Sequence, residues 1–287
     1  MNPAAPPLPR WAALLLRILL YLAVGMVTWI FTADLLYYIT GRVMASVLST
    51  LLAAIIANLI VLRTTENLYL RDVGLYWNAA ARRNLLLGVG AGAIAALLVV
   101  APFLLAGAAT LTPDVQAPFT VPGFLFVTLS LMIGVAGEEL LFRGYAFQSL
   151  TNQAGAIASV GLISALFGWG HLNNPHASWL GALNTALWGV MLGAAVLRTR
   201  DLWLAIGLHF GWNFVLPLFG VPLSGLTIKL SGWMVQWRIG PLWSGGEYGP
   251  EAGLPTLLVL PLLGWFLWKA PLQPERNPVL LGTSVEE

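Results

Sequence analysis

Cysteine is absent from the 287 residues. That excludes disulfides, thiolate metal sites and a cysteine nucleophile. Charge is scarce as well: 9% of the residues are Asp, Glu, Lys or Arg, against about 25% in an ordinary soluble domain. A formal net charge of +2 leaves no basic patch for nucleic acid. The Lys and Arg residues instead flank apolar runs, where phospholipid headgroups account for them. No short-period internal repeat is visible and no soluble domain intervenes. What the chain has in quantity is hydrophobicity, at 58% of residues and a mean hydropathy of +0.80. The expected class is an all-α polytopic membrane bundle forming a single integral-membrane domain over 1–287.

Windows of roughly 17–25 apolar residues are candidate spans. Eight occur, near Trp11–Ala33, Val43–Leu62, Leu85–Ala109, Phe124–Leu150, Ala154–Leu172, Trp179–Leu197, Leu202–Phe219 and Leu254–Trp268. The first carries Arg17 and lacks a small-residue cleavage site, so it reads as a retained span. Arg17 is expected to snorkel to the headgroups. The longest connection, Gly220 to Gly253, mixes Trp233, Trp237 and Trp243 with Lys229 and Arg238, which suits a segment lying at the interface. Placing both termini in the cytoplasm puts Arg10, Arg63, Arg71, Arg82, Arg83, Arg198, Arg200, Lys269 and Arg276 inside and Arg42, Lys229 and Arg238 outside. The positive-inside rule favours that orientation.

Of twelve acidic residues, ten fall in loops or tails; Glu138 and Glu139 lie within a span. Ionisable groups at membrane depth are costly and by default functional. Glu139 and Arg143 are four apart and can pair on one helix face, while Glu138, about 100° away, is left free to face a polar cavity enclosed by the bundle. With the fourth span continued to Leu150, Glu138 lies roughly 18 Å from its cytoplasmic end, His171 roughly 22 Å up the fifth, and His209 and Asn213 about 10–22 Å into the seventh. His209 and Asn213 share a face, as do Phe167 and His171, so the Phe167 ring is placed to pack against the imidazole. Structural readings accompany these: Asn213 as interhelical glue, Asn58 and Asn184 as packing residues, His176 as loop, and Gly155 through Ala165 as a close helix contact. Trp169 and Trp212 are candidates to line a cavity.

The order Glu138-Glu139-x-x-x-Arg143, Phe167-x-x-x-His171, His209-x-x-x-Asn213 resembles the three motifs of the CAAX-protease and bacteriocin-processing (CPBP, or Abi) intramembrane proteases. The stretch from Trp179 to His209, with Gly189 and Gly193, is similar to the family's helices around its third motif. Arg71-Asp72-Val73-Gly74-Leu75 is similar to a weaker upstream feature. The strong resemblance covers a core of about 124–216. It implies hydrolysis of a peptide bond within the membrane, in a peptide or membrane protein, lipidated or not. By matching position, Glu138 and His171 would activate water, His209 and Asn213 would hold the oxyanion, and Glu139 and Arg143 would brace the first motif. The favoured mechanism uses no cofactor; the alternative is Zn²⁺ held by Glu138, His171 and His209. Two other functions remain open, a catalytically silent scaffold or maturation factor and a proton-coupled transporter.

Overall fold

The computed structural model describes residues 9–282. The helices are α1 (Arg10–Thr40), α2 (Arg42–Val61), α3 (Ala79–Leu105), α4 (Val121–Arg143), α5 (Tyr145–Ala154), α6 (Ala156–Gly170), α7 (Trp179–Thr199), α8 (Trp203–Leu218), the single turn α9 (Pro241–Ser244), α10 (Leu254–Lys269) and the short α11 (Pro278–Leu281). Each of the eight apolar windows holds a helix, although the third outruns α3 and ends in the strand that begins at Ala109. Among the described residues six helical segments are long and apolar enough to cross a membrane, and α8 and α10 are shorter apolar helices. The architecture is an all-α polytopic bundle. Side-chain oxygens cap several starts, as expected of orphan N–H groups: Asn78 accepts from Ala81 N at 2.9 Å, Thr120 from Gly123 N at 3.3 Å, and Ser178 from Gly181 N at 3.1 Å.

The fourth window is not one continuous helix. It breaks at Gly144, where α4 hands over to α5, so the depth taken from an unbroken helix to Leu150 does not hold. A Cβ at Gly144 would lie 2.3 Å from the Leu140 carbonyl oxygen and 2.6 Å from Asn58 Oδ1. Asn58, buried in α2, splices the break. Its amide donates to the carbonyls of Ala54 (2.7 Å) and Leu140 (3.2 Å), and its Oδ1 accepts from Tyr145 N at 2.8 Å. Tyr21 on α1 adds a bond from its hydroxyl to the Leu141 carbonyl at 2.8 Å. Asn58 is therefore more than a packing residue.

The tightest helix pair is α3 against α8. Gly88 and Gly92 on α3 face Gly207 and Gly211 on α8, four residues apart in each helix. A Cβ at Gly92 would sit 2.0 Å from the Leu208 carbonyl oxygen, and one at Gly211 would sit 2.2 Å from the Val89 oxygen. Small residues let backbones touch where lipid supplies no hydrophobic drive for association. His209 lies halfway between Gly207 and Gly211 in sequence, about 180° around the helix, so the glycine contact turns it away from α3.

Hydrogen bonds gather the helix ends that carry nine Lys and Arg residues. Leu202 N donates to the Gly74 carbonyl (3.0 Å), Glu275 N to Thr199 (2.7 Å) and Asn277 Nδ2 to Arg200 (3.0 Å). Asn84 Nδ2 reaches both Asp201 Oδ2 (2.6 Å) and the Gln273 carbonyl (2.8 Å). Gly74, at φ +89°, packs its α-carbon so close to this turn that a Cβ would lie 2.8 Å from Asp201 Cα. The upstream Arg71–Leu75 stretch is thus a turn, buried at Asp72, Val73 and Gly74, docked against the connection between α7 and α8. Arg17 pairs with Glu66 rather than with headgroups alone.

One segment gains a fold and one expectation changes. The Gly220–Gly253 connection folds back on the bundle. Its strand β2 (Trp233–Trp237) pairs antiparallel with β1 (Ala109–Pro113), Ala109 opposite Trp237, and Asn184 Nδ2 donates to the carbonyls of Glu251 (2.7 Å) and Gly253 (3.0 Å). On α6, Ser159 and Ser164 are buried, but Gly155, Ala156, Ala158, Gly161 and Ala165 face outward; the close contact runs instead from Ser164 and Val160 to Gly189 and Gly193 of α7.

Two outcomes follow. Gly92→Ala costs at least about 1–3 kcal/mol by overpacking, whereas Gly90→Ala, with nothing within 4 Å of its Cβ, is neutral or stabilising by up to about 1 kcal/mol; thermal melts in detergent separate the two signs. Burial pushes the Asp201 carboxyl up to about 6, against the lowering pull of its hydrogen bonds from Asn84, Leu204 and Thr199. A raised folded value means that stability from this group is fully present below about pH 4 and lost as pH rises through about 6. The melting temperature therefore falls over that window, and Asp201→Asn removes that part of the slope.

Candidate functional site

Helices α4, α6 and α8 bring the sequence candidates into one neighbourhood. Gly137 allows α4 to lie against α2, since a Cβ there would meet Leu51 N at 2.8 Å. The next two residues point differently. Glu139 is fully buried, and the Glu138 side chain is 35% exposed. Arg143, also fully buried, donates from Nη1 to Glu139 Oε1 at 3.2 Å. The same Oε1 accepts from Nδ1 of His209 at 2.8 Å. On the far side of that ring, Nε2 lies 3.8 Å from Glu138 Oε2. The result is a chain of alternating groups, Arg143–Glu139–His209–Glu138, in which both carboxylates address one imidazole. A carboxylate oxygen only accepts, so Nδ1 of His209 carries hydrogen and Nε2 is the nitrogen presented to the site.

Phe167 is the apolar centre of the cluster. The Arg143 guanidinium carbon lies 4.3 Å from its ring centroid, a cation–π contact strengthened by desolvation. The Phe167 ring lies 4.7 Å from that of His171 and 6.1 Å from that of His209, and Phe142 meets it edge-on at 5.1 Å. His171 begins the turn that ends α6, and its Nδ1 donates to the Phe167 carbonyl at 2.7 Å. That leaves Nε2 of His171 free as an acceptor. The imidazole within ion-pair reach of Glu138 is that of His209, not His171. Asn213, one turn beyond His209, is half-buried, and its amide makes no hydrogen bond to the described residues. It is not serving as glue between helices.

Behind the site, Trp212 is buried and donates from Nε1 to Glu251 Oε1 at 3.2 Å, with its ring 4.8 Å from that of Trp188. Glu251 also accepts from Ser224 Oγ at 2.8 Å. Sequence reasoning assigned Glu251 to a loop. Its position before the apolar run of α10 gave no signal that it turns into the bundle. Trp169 is 67% exposed. His176 is a loop residue facing Glu247 at 3.0 Å. Among the described residues no three His, Asp or Glu side chains stand close enough together to hold a metal ion. Of the zinc alternative's three groups, Glu138 and His209 face one another, and His171 meets His209 across the Phe167 ring.

Fold and site together define a helical membrane protein with an ionisable cluster built inside its bundle. The family described as type II CAAX prenyl endopeptidase Rce1-like matches residues 120–215. The matched span holds Glu138, Glu139, Arg143, Phe167, His171, His209 and Asn213 and bears out the resemblance to the CAAX-protease and bacteriocin-processing group. At family level it supports a CAAX-type intramembrane protease. No curated protein matches the chain.

Glu139→Gln leaves Arg143 without its anion and His209 without its carboxylate. The expected loss is about 3–5 kcal/mol of stability, the cost of breaking a buried pair. Asn58→Ala is expected to cost about 1–3 kcal/mol by orphaning the buried Tyr145 N–H. Thermal unfolding of the two variants beside the parent chain measures both.

Proposed function

We propose that this protein is an intramembrane endopeptidase in which Glu138 and His171 activate water, while His209 and Asn213 stabilise the oxyanion. The observation that carries the reading is the arrangement of His209, with Nδ1 held by Glu139 at 2.8 Å and Nε2 turned toward Glu138 at 3.8 Å. For Nε2 to donate to an oxyanion while Nδ1 donates to Glu139, the ring carries both protons. Glu139 and Glu138 flank it and balance that charge, with Arg143 offsetting the buried Glu139. Asn213, with its amide uncommitted, supplies a second donor from the same face. Donors preorganised toward developing negative charge are typically worth about 3–4 kcal/mol each.

In this reading, Glu138 takes a proton from water as that water attacks the scissile carbonyl, and returns it to the leaving amine. His171, its tautomer fixed by the Phe167 carbonyl, offers Nε2 as the second acceptor for that water. The reading favours a mechanism without metal because the three groups cited for zinc do not converge. The imidazole facing Glu138 is that of His209, while His171 meets His209 across the Phe167 ring, and among the described residues no three His, Asp or Glu side chains are grouped to hold an ion. The substrate is a peptide or membrane-protein segment, prenylated or not, and both termini lie in the cytoplasm by the distribution of Lys and Arg.

Detergent-purified protein is assayed on quenched fluorescent peptides, one of them prenylated, beside Glu138→Ala and with or without a zinc chelator. Cleavage is expected in the parent chain, to fall by at least about 100-fold in Glu138→Ala, and to survive chelation. Loss on chelation with recovery on added Zn²⁺ would overturn the metal-free mechanism. Absence of cleavage from folded protein would favour the scaffold, and proton flux in liposomes the transporter.

A further inference from the structure

A second site lies away from the charged cluster, at the end of the bundle where the basic residues gather. A cavity of about 630 Å³ opens there between the first turns of α1, the end of α5 and the α11 turn. Its polar lining includes Arg10, Arg17, Ser149, Asn152 and Gln153, and its apolar lining includes Leu14 and Val279. Arg10 and Arg17 are seven apart and so share a face of α1, roughly 10 Å apart along its axis. Glu66 is the carboxylate in the lining. It is already engaged, paired with Arg17 and accepting from Tyr145 Oη at 2.8 Å. Among the described residues the ionisable lining is thus two cations against one anion, an excess of one positive charge.

We propose that this cavity binds the phosphate-bearing headgroup of an anionic phospholipid. Three features point to that ligand. The excess positive charge and the amides of Asn152 and Gln153 suit a phosphate's acceptor oxygens. The depth from Arg10 to Arg17 matches a headgroup and its glycerol rather than a small ion. The lining also includes apolar Leu14, Leu68, Val279 and Leu281, against which the glycerol and first acyl carbons lie. Basic pockets between membrane helices recognise lipid headgroups on this physical basis. The site bears on the cluster by construction, because its walls α1 and α5 carry Tyr21 and Tyr145, which hold the Gly144 break.

The test uses the full chain in detergent, titrated with phosphatidylglycerol, phosphatidylcholine or inorganic phosphate and read by native mass spectrometry and thermal melting. Phosphatidylglycerol is expected to be retained in preference to phosphatidylcholine and to raise the melting temperature. Arg10→Gln, which leaves the Arg17–Glu66 pair in place, is expected to weaken that retention about fivefold, and Arg42→Gln at the opposite end to leave it unchanged. Equal retention of the two lipids by the parent chain would overturn the proposal. So would a preference untouched by Arg10→Gln, or stabilisation by inorganic phosphate that phosphatidylglycerol does not exceed.

Discussion

One carboxylate oxygen, Oε1 of Glu139, is the point on which the site depends. It accepts from Arg143 on its own helix and from His209 on another, and all three side chains lie in the interior of the bundle. A charge taken out of water in this way is tolerated only when its partners are close and correctly aimed. The rest of the cluster follows from that requirement. Arg143 adds an aromatic face, Phe167, on which to rest its guanidinium, and His209 adds a second carboxylate, Glu138, on its opposite nitrogen. Glu139 is the member whose removal strips Arg143 of its ion-pair partner and His209 of its nearer carboxylate.

Meeting that requirement takes rigid helices. The glycine faces of α3 and α8 fix the rotation of α8, and with it the direction of His209 and Asn213. On α4, the Gly137 contact with α2 and the Asn58 splice at Gly144 fix where the two glutamates stop and the chain turns away. These devices are backbone contacts rather than large buried side chains, as expected where lipid and protein interior are equally apolar. At the far end, Asn84, Asp201 and Gly74 lock the turns between helices. A lipid headgroup held beside Arg10 would join the same bracing through α1 and α5.

The fold was largely legible in the chain. Eight apolar windows became helices because span length and composition are set by the bilayer, a local property of each segment. The pairing of Glu139 with Arg143 was legible for a similar reason, since residues four apart on a helix must be neighbours. The reading failed where structure departs from regular periodicity. The break at Gly144 depends on an asparagine 86 residues earlier in the chain. The connection after Gly220 keeps Trp233 and Trp243 exposed, but its anchoring to the bundle through Glu251 and Asn184 was not legible. On α6 the small residues suggested a close contact, and most of them face outward instead.

The sequence by itself determined that the chain enters the membrane as a helical bundle, which residues carry charge there, and which of them share a helix face. These are consequences of composition and of the 3.6-residue repeat. Tertiary structure alone decided that Glu139 binds His209, that Glu138 looks toward His209 rather than His171, and that Phe167 stands at the centre of four side chains. Each of these is a contact between helices, set by how far one backbone can approach another and at what rotation, and no local repeat in the chain encodes that.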